Sequence, residues 1–131
     1  MQEDFGKLVL RLSVGALVLL HGVNKLLNGI APIKEMLAAH HIPDVLAYGV
    51  YAGEILGPIL IILGLFARIG GLLATIDMIV AIALAGTGSL FAFNQFGGYA
   101  LELEALYLFG ALSIVFLGSG RLGLNIGGRW T

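Results

Sequence analysis

Residues 46–88 read LAYGVYAGEILGPILIILGLF, then Ala67-Arg68, then IGGLLATIDMIVAIALAGTG, and this stretch decides the fold. A helix rising about 1.5 Å per residue needs about 20 mainly apolar residues to cross a hydrocarbon layer roughly 30 Å thick. Residues 46–66 and 69–88 both reach that length, and the short link between them leaves room only for an antiparallel hairpin. Working outward, 8–27 (LVLRLSVGALVLLHGVNKLL) and 99–117 (YALELEALYLFGALSIVFL) supply a third and a fourth span. The expected architecture is all-α: an antiparallel, integral membrane four-helix bundle that takes in residues 1–131 as a single membrane domain.

Composition points the same way. Of 131 residues, 59% are AVILMFWYC and 11% are DEKR, against about 25% charged in soluble domains, and the mean hydropathy is +1.00. This excludes a soluble enzyme and a disordered tail. A net charge of only -1 excludes a nucleic-acid binder working through a basic patch. There is no cysteine, so the chain alone builds no disulfide, no zinc knuckle and no cysteine-held iron–sulfur cluster. Redox work would have to be done by something bound. Glu3 and Asp4 make the start acidic and Arg11 interrupts the apolar run, so the first span is expected to stay rather than be cleaved as a signal peptide.

The connections are unequal. Residues 28–45 (NGIAPIKEMLAAHHIPDV) are long and polar, and IKEMLAAH between Pro32 and Pro43 predicts a turn or two of interfacial helix. The 89–98 loop (SLFAFNQFGG) is aromatic, as expected at headgroup depth. Lys7, Arg11, Arg68, Arg121 and Arg129 fall on one side and only Lys25 and Lys34 on the other. Both termini are therefore expected in the cytoplasm, and the protein in the inner (plasma) membrane.

Small residues fall in register. Gly53 and Gly57 form a GxxxG; Gly70, Ala74, Asp77, Ala81 and Gly88 make a stripe on the third span; Arg11, Gly15, Val18, Gly22 and Lys25 make one on the first. In lipid such residues let helix backbones approach closely, so a tight bundle with little internal void is expected, not an open channel.

A charge near the bilayer centre costs about 2.5–3.5 kcal/mol, whereas one Leu or Ile offsets about 0.3–0.6 kcal/mol. Arg11, His21, Lys25, Glu54, Asp77, Glu102 and Glu104 nevertheless lie in or at the edges of the spans. Glu54 and Asp77 are about 12 Å from the nearest span end, too deep to snorkel. Counted from the outer end, Lys25 and Glu102 lie within about one turn of the surface, and His21 and Glu54 roughly one to two turns below. His21 and Lys25 share a face of the first helix, flanked by Asn24 and Asn28. Glu102 and Glu104 point about 200° apart; Glu102, at the height of Lys25 and in line with Phe109 and Ser113, is expected to face the bundle.

Two compatible readings follow. Ion pairs, Lys25 with Glu54 or Glu102 and Arg11 with Asp77, fix how the helices pack; or the same groups line a polar pocket, open toward the outer leaflet, that binds a headgroup, a quinone or a proton. Acids outnumber bases within the membrane, so at least one carboxyl is expected to be neutral. Tyr51, one turn above Glu54, either donates its hydroxyl to the cluster or is an interfacial aromatic. Gly57-Pro58 is expected to bend the second helix. His40-His41 reads as a solvated pair rather than a metal site, and no metal is expected. His21 offers haem one axial ligand and a second would need Met78 or another subunit, which argues against haem.

Along nearly the whole chain the sequence resembles the DoxX family of small four-span membrane proteins. The likeness is carried by RLSVGALVLLHGVNKL (11–26), by GEILGPILIILGLFARIGGLL (53–73) and by LGSGRLGLN (117–125), similar to the family's Gly-x-Gly-Arg ending. Gly123 and Asn125 stand where the family commonly has Ser and Asp, and the family's acid near the start of helix four maps onto Glu102 or Glu104. The resemblance implies mixed roles. Some relatives are subunits of a thiosulfate:quinone oxidoreductase, others associate with superoxide dismutase and a sulfurtransferase, and a distant eukaryotic branch comprises surfeit-locus cargo receptors.

The functional expectation is a membrane subunit of a redox system that binds quinone, or a similar lipid-like ligand, near the outer leaflet. His21, Lys25, Glu54, Asp77 and Glu102 form the ligand-binding or proton-handling set, supported by Asn24, Tyr51 and Arg11. Quinone is the only cofactor expected, and none is covalent. The expected partners are the lipid bilayer, redox partner proteins and a second copy of the chain, but not nucleic acid. The alternative is a non-enzymatic scaffold or receptor whose ion pairs are structural. A small proton-coupled carrier has suitable residues but no inverted repeat.

Overall fold

The computed structural model describes residues 2–86, 92, 93, 95 and 97–131. The elements are α1 (Gln2–Asn28), α2 (Ala31–Ala39), α3 (Asp44–Leu63), α4 (Ala67–Leu84) and α5 (Glu102–Leu117). Among the described residues no strand occurs beyond one isolated bridge, Phe93 to Tyr99. Helices α1, α3 and α4 are long and apolar enough to cross a membrane; α5 has 16 residues, about 24 Å of helix. Gly88 and residues 89–91, 94 and 96 of the aromatic loop lie outside the described residues.

Polarity is distributed inside out. Leu27, Phe116 and Leu106 are 70% or more exposed, while Arg11 and Glu54 are 1% and 2% exposed. Water would penalise that arrangement, whereas lipid favours it. Helix α1 buries Arg11, Val14, Gly15, Val18 and Gly22 on one stripe. Gly22 lies directly on the Glu54 carbonyl of α3, and Gly57 of α3 lies against Gly70 of α4. Gly71 of α4 meets the Ala111 carbonyl of α5, and Val14 of α1 covers Gly110. The pairings show α1 antiparallel to α3 and α5, and α3 antiparallel to α4.

The hairpin turns at Gly64-Leu65-Phe66, just ahead of the expected Ala67-Arg68 link. Gly64 ends α3 with φ 73 and Phe66 precedes α4 with φ 48. Glycine takes the left-handed conformation without a Cβ clash, and Phe66 is held there by its N–H, which donates to the Ile126 carbonyl at 2.7 Å. Arg68 consequently sits in the first turn of α4, where its Nη1 donates to the Val115 and Phe116 carbonyls, both at 2.8 Å, at the end of α5.

The expected Arg11–Asp77 pair does not form. Arg11 Nε donates to Ile61 O at 2.9 Å, Nη2 to Ile62 O at 2.9 Å, and Nη1 to Ser119 O at 3.0 Å and Leu122 O at 2.7 Å. The reason is local: the last carbonyls of α3 have no helical donor, and the planar guanidinium fork supplies several donors where a carboxylate partner would satisfy only the charge. This binds α1, α3 and the C-terminal segment together. The Arg121 N–H also donates to Asp4 Oδ1 at 3.1 Å, so the two ends of the chain meet.

Helix α3 changes pitch along its length. It opens as a 3-10 turn (Asp44–Tyr48), passes through a single α turn and a π turn (Ala52–Leu56), and becomes regular at Gly57–Leu63. Pro58 has no N–H to offer the Glu54 carbonyl four residues earlier, and the Gly57 N–H donates to Ala52 O, a π spacing. Helix α2 occupies the polar connection, with Pro32 in its first turn. It packs Leu37 and Ile30 against Ala47, Val50 and Tyr51, away from the main core. The expectation of little void fails here, because α2 rests on α3 and α4 without filling the space between them.

A charged wall between two cavities

Gly22 allows α1 to touch the α3 backbone, and one turn on, Lys25 reaches across. Its Nζ donates to Glu54 Oε1 at 2.6 Å and Oε2 at 2.7 Å. Glu54 is 2% exposed and the Lys25 side chain 30%, so the carboxylate is buried behind its own counter-ion. The Tyr51 hydroxyl donates to the Lys25 carbonyl at 3.4 Å, orienting the end of α1 rather than joining the carboxylates. Gly53 leaves room for Asp77: a side chain there would overlap the Asp77 Cβ and carboxyl carbon. Asp77 thus lies beside Glu54, near enough for a carboxyl–carboxylate hydrogen bond. Its Oδ2 is buried and, among the described residues, has no hydrogen-bond partner.

Two cavities flank the Lys25–Glu54 pair. The larger, about 440 Å³, lies between α2, α3 and α4; Lys25, Glu54 and Asp77 form its polar floor, and Ile33, Leu37 and Val50 are among its apolar walls. It reaches the surface beside Ile76 and Val80, which are 49% and 45% exposed. The smaller, about 130 Å³, lies between α1, α4 and α5 and is lined by His21, Lys25, Glu54, Glu104 and Tyr107, with Met78 and Ala81 beneath. His21 is exposed at its mouth and meets Tyr107 edge to face, with ring centroids 5.7 Å apart.

Of the residues the sequence singles out, Lys25, Glu54 and Asp77 come together and His21 stands across the ion pair from Asp77. Asn24 and Asn28 form an exposed pair of their own on α1, Arg11 lies at the other end of the molecule, and His40 and His41 are exposed. The expectation for Glu102 is corrected: it is exposed, and Glu104 lines the smaller cavity. Phe109 and Ser113, on the Glu102 side, also face outward. The signal for Glu104 was its spacing, since Glu104, Tyr107, Ala111 and Ile114 recur every three or four residues and the last three are buried. Outside the wall, Lys34 of α2 donates to the Tyr48 hydroxyl at 2.9 Å, and that bond holds its ammonium above its usual range.

An all-helical chain with lipid-suited flanks and inward-turned charges is an integral membrane protein. It belongs to the DoxX family, whose model matches residues 6–87. The chain is 30% identical over 105 residues to a protein of Bacillus subtilis (strain 168) named "Putative oxidoreductase CatD", covering 80% of this chain and 78% of that one. It is 36% identical over 119 residues to a Haemophilus influenzae (strain ATCC 51907 / DSM 11121 / KW20 / Rd) protein named "Uncharacterized protein", covering 88% and 85%. No solved structure matches.

Proposed function

We propose that the protein is a subunit of a redox system in the inner (plasma) membrane and holds a quinone or quinol head in the larger cavity. The observation that carries this reading is the unpartnered, buried Asp77 Oδ2 on the floor of an otherwise apolar chamber. Structural pairing accounts for Lys25 and Glu54, which satisfy each other, but leaves Asp77 Oδ2 without a partner among the described residues. A carboxyl accepts a hydrogen bond when ionised and donates one when protonated, so one group can serve both the hydroxyl of a quinol and the carbonyl of a quinone. The chamber's size falls within the roughly 300–1,000 Å³ of small-molecule sites, and its opening past Ile76 and Val80 suits a ligand arriving from lipid. The name of the Bacillus relative is consistent with an oxidoreductase role. The meeting of the chain ends, with Arg11, Arg68 and Arg121 at one end and Lys25 and Lys34 toward the other, supports four crossings and cytoplasmic termini.

The test is direct binding. Detergent-purified protein is extracted for endogenous quinone, then titrated with short-chain ubiquinone and menaquinone analogues. Expected are bound quinone in the wild type, affinity about tenfold weaker in Asp77→Asn, equivalent to about 1.4 kcal/mol, and loss of binding in Val50→Trp, which fills the chamber. Wild-type protein that carries no quinone and binds neither analogue would leave the scaffold reading in its place.

A further inference from the structure

The Lys25–Glu54 pair has two sides, and the chamber of the proposed ligand accounts for one. Lys25 and Glu54 line both cavities, whereas Asp77 lines only the larger and His21, Glu104 and Tyr107 only the smaller. At about 30 Å³ per water, the smaller cavity has room for about four. Carboxyl, ammonium and imidazole groups around it give each water the polar partners that a buried water needs. The larger cavity, polar only at its floor, offers no comparable chain of partners. Glu104 lies in the first turn of α5 and His21 is exposed at the mouth, so this cavity runs from a carboxylate 2% exposed to the outer end of the helices.

We propose that the smaller cavity is a hydrated proton port, in which His21 and Glu104 pass protons between the Glu54 carboxyl and the outer face. In the outward direction the Glu54 O–H bond breaks, a proton moves through water, and an N–H bond forms on His21. The imidazolium then releases its proton to water at Glu104. Histidine suits this step because both of its charge states are accessible near neutral pH. The edge-to-face contact with Tyr107 fixes the ring's place at the mouth. The charged and titratable groups around the path are His21 and Lys25 from α1, Tyr51 and Glu54 from α3, Asp77 from α4, and Glu104 and Tyr107 from α5. Lys25, held by both Glu54 oxygens, keeps the carboxyl at the partition between the chambers. The port does not require a quinone in the larger cavity.

The experiment therefore uses ligand-free protein in detergent. A stopped-flow drop in pH is followed by infrared absorption of the carboxyl C=O stretch, assigned with Glu54→Gln and Asp77→Asn. His21→Phe, which keeps a ring against Tyr107, and Glu104→Gln, which keeps shape, are each expected to slow protonation about 10²-fold, the low end for a positioned proton-transfer group. Their melting temperatures and final band intensities should stay at wild-type values, which a misfolded protein would not show. Val50→Trp, filling only the larger cavity, is expected to leave the rate unchanged. Wild-type rates in both His21→Phe and Glu104→Gln, or slowing in Val50→Trp alone, would overturn the port. Quinone titration of the same variants is a separate readout, so failure of ligand binding and failure of the port are told apart.

Discussion

Arg11 illustrates how little the sign of a buried charge says about its task. Its four hydrogen bonds all go to backbone carbonyls, two at the end of α3 and two in the C-terminal segment. Charged donors are worth about 1.5–3 kcal/mol each to buried acceptors, and a lysine carries the same charge but only three donors on one atom. Arg11→Lys should therefore destabilise the protein by about 3 kcal/mol and expose residues 118–131 to protease, measured by thermal melting in detergent and by limited digestion. Unchanged melting and digestion would show that charge alone matters at this position. At Gly22 the constraint is space. An added methyl meets the Glu54 carbonyl, which is backbone and cannot swing aside. Gly22→Ala should cost about 1–3 kcal/mol, whereas Gly6→Ala, with nothing within 4 Å, should be neutral or stabilise by up to about 1 kcal/mol. Comparing the two melting temperatures separates close packing from helix propensity, and equal shifts would refute the contact.

Helix α3 does most to assemble the wall, because its π turn sets the rotation of Glu54 relative to everything after Gly57. Each residue turns a helix by about 100°. Removing the extra residue of a π turn therefore forces either the Lys25–Glu54 pair or the Gly57–Gly70 contact out of register. Pro58→Ala restores the missing N–H and permits a regular α-helix. The expected outcome is a folded protein whose quinone affinity falls about tenfold, or about 1.4 kcal/mol, while the Arg11 end resists digestion as before. Wild-type affinity would show that Pro58 does not set the wall. The sequence identified Pro58 as a bend and offered Glu54 as one of two partners for Lys25, although counting residues put Lys25 level with Glu102 and Glu54 a turn or so deeper, level with His21; the long lysine side chain spans that difference. It assigned Asp77 to Arg11, a pair that does not form, since Asp77 is deep from either end and only Gly53, by having no side chain, lets it approach Glu54. Nor did it find Arg11's partners, because carbonyls at a helix end are present in every sequence and only the fold determines which ones remain unbonded. On α5 the height of Glu102 suggested the wrong acid, although the spacing of Tyr107, Ala111 and Ile114 pointed to Glu104.

At the scale of the molecule the two ends of the helices differ in kind. One is closed: Arg11, Arg68 and the returning C-terminal segment satisfy the carbonyls there, and Asp4 meets Arg121. The other carries both cavities, α2 and Lys34, and is the end at which the proposed ligand enters. In the topology proposed above, with the two ends of the chain at one end of the helices, α5 is a fourth crossing despite its 16 residues. Tilt and local thinning of the bilayer accommodate a short span at a cost of fractions of about 1 kcal/mol per Å of mismatch. Because the chain has no cysteine, single substitutions report topology without background labelling. With the proposed orientation, a membrane-impermeant maleimide should label His41→Cys, in the connection that holds α2, in intact cells, and should label Gln2→Cys and Thr131→Cys only after permeabilisation. Labelling of Thr131→Cys but not Gln2→Cys from outside would mean that α5 does not cross. The termini would then lie on opposite faces, which is incompatible with both the Asp4–Arg121 contact and the Arg11 bonds to Ser119 and Leu122.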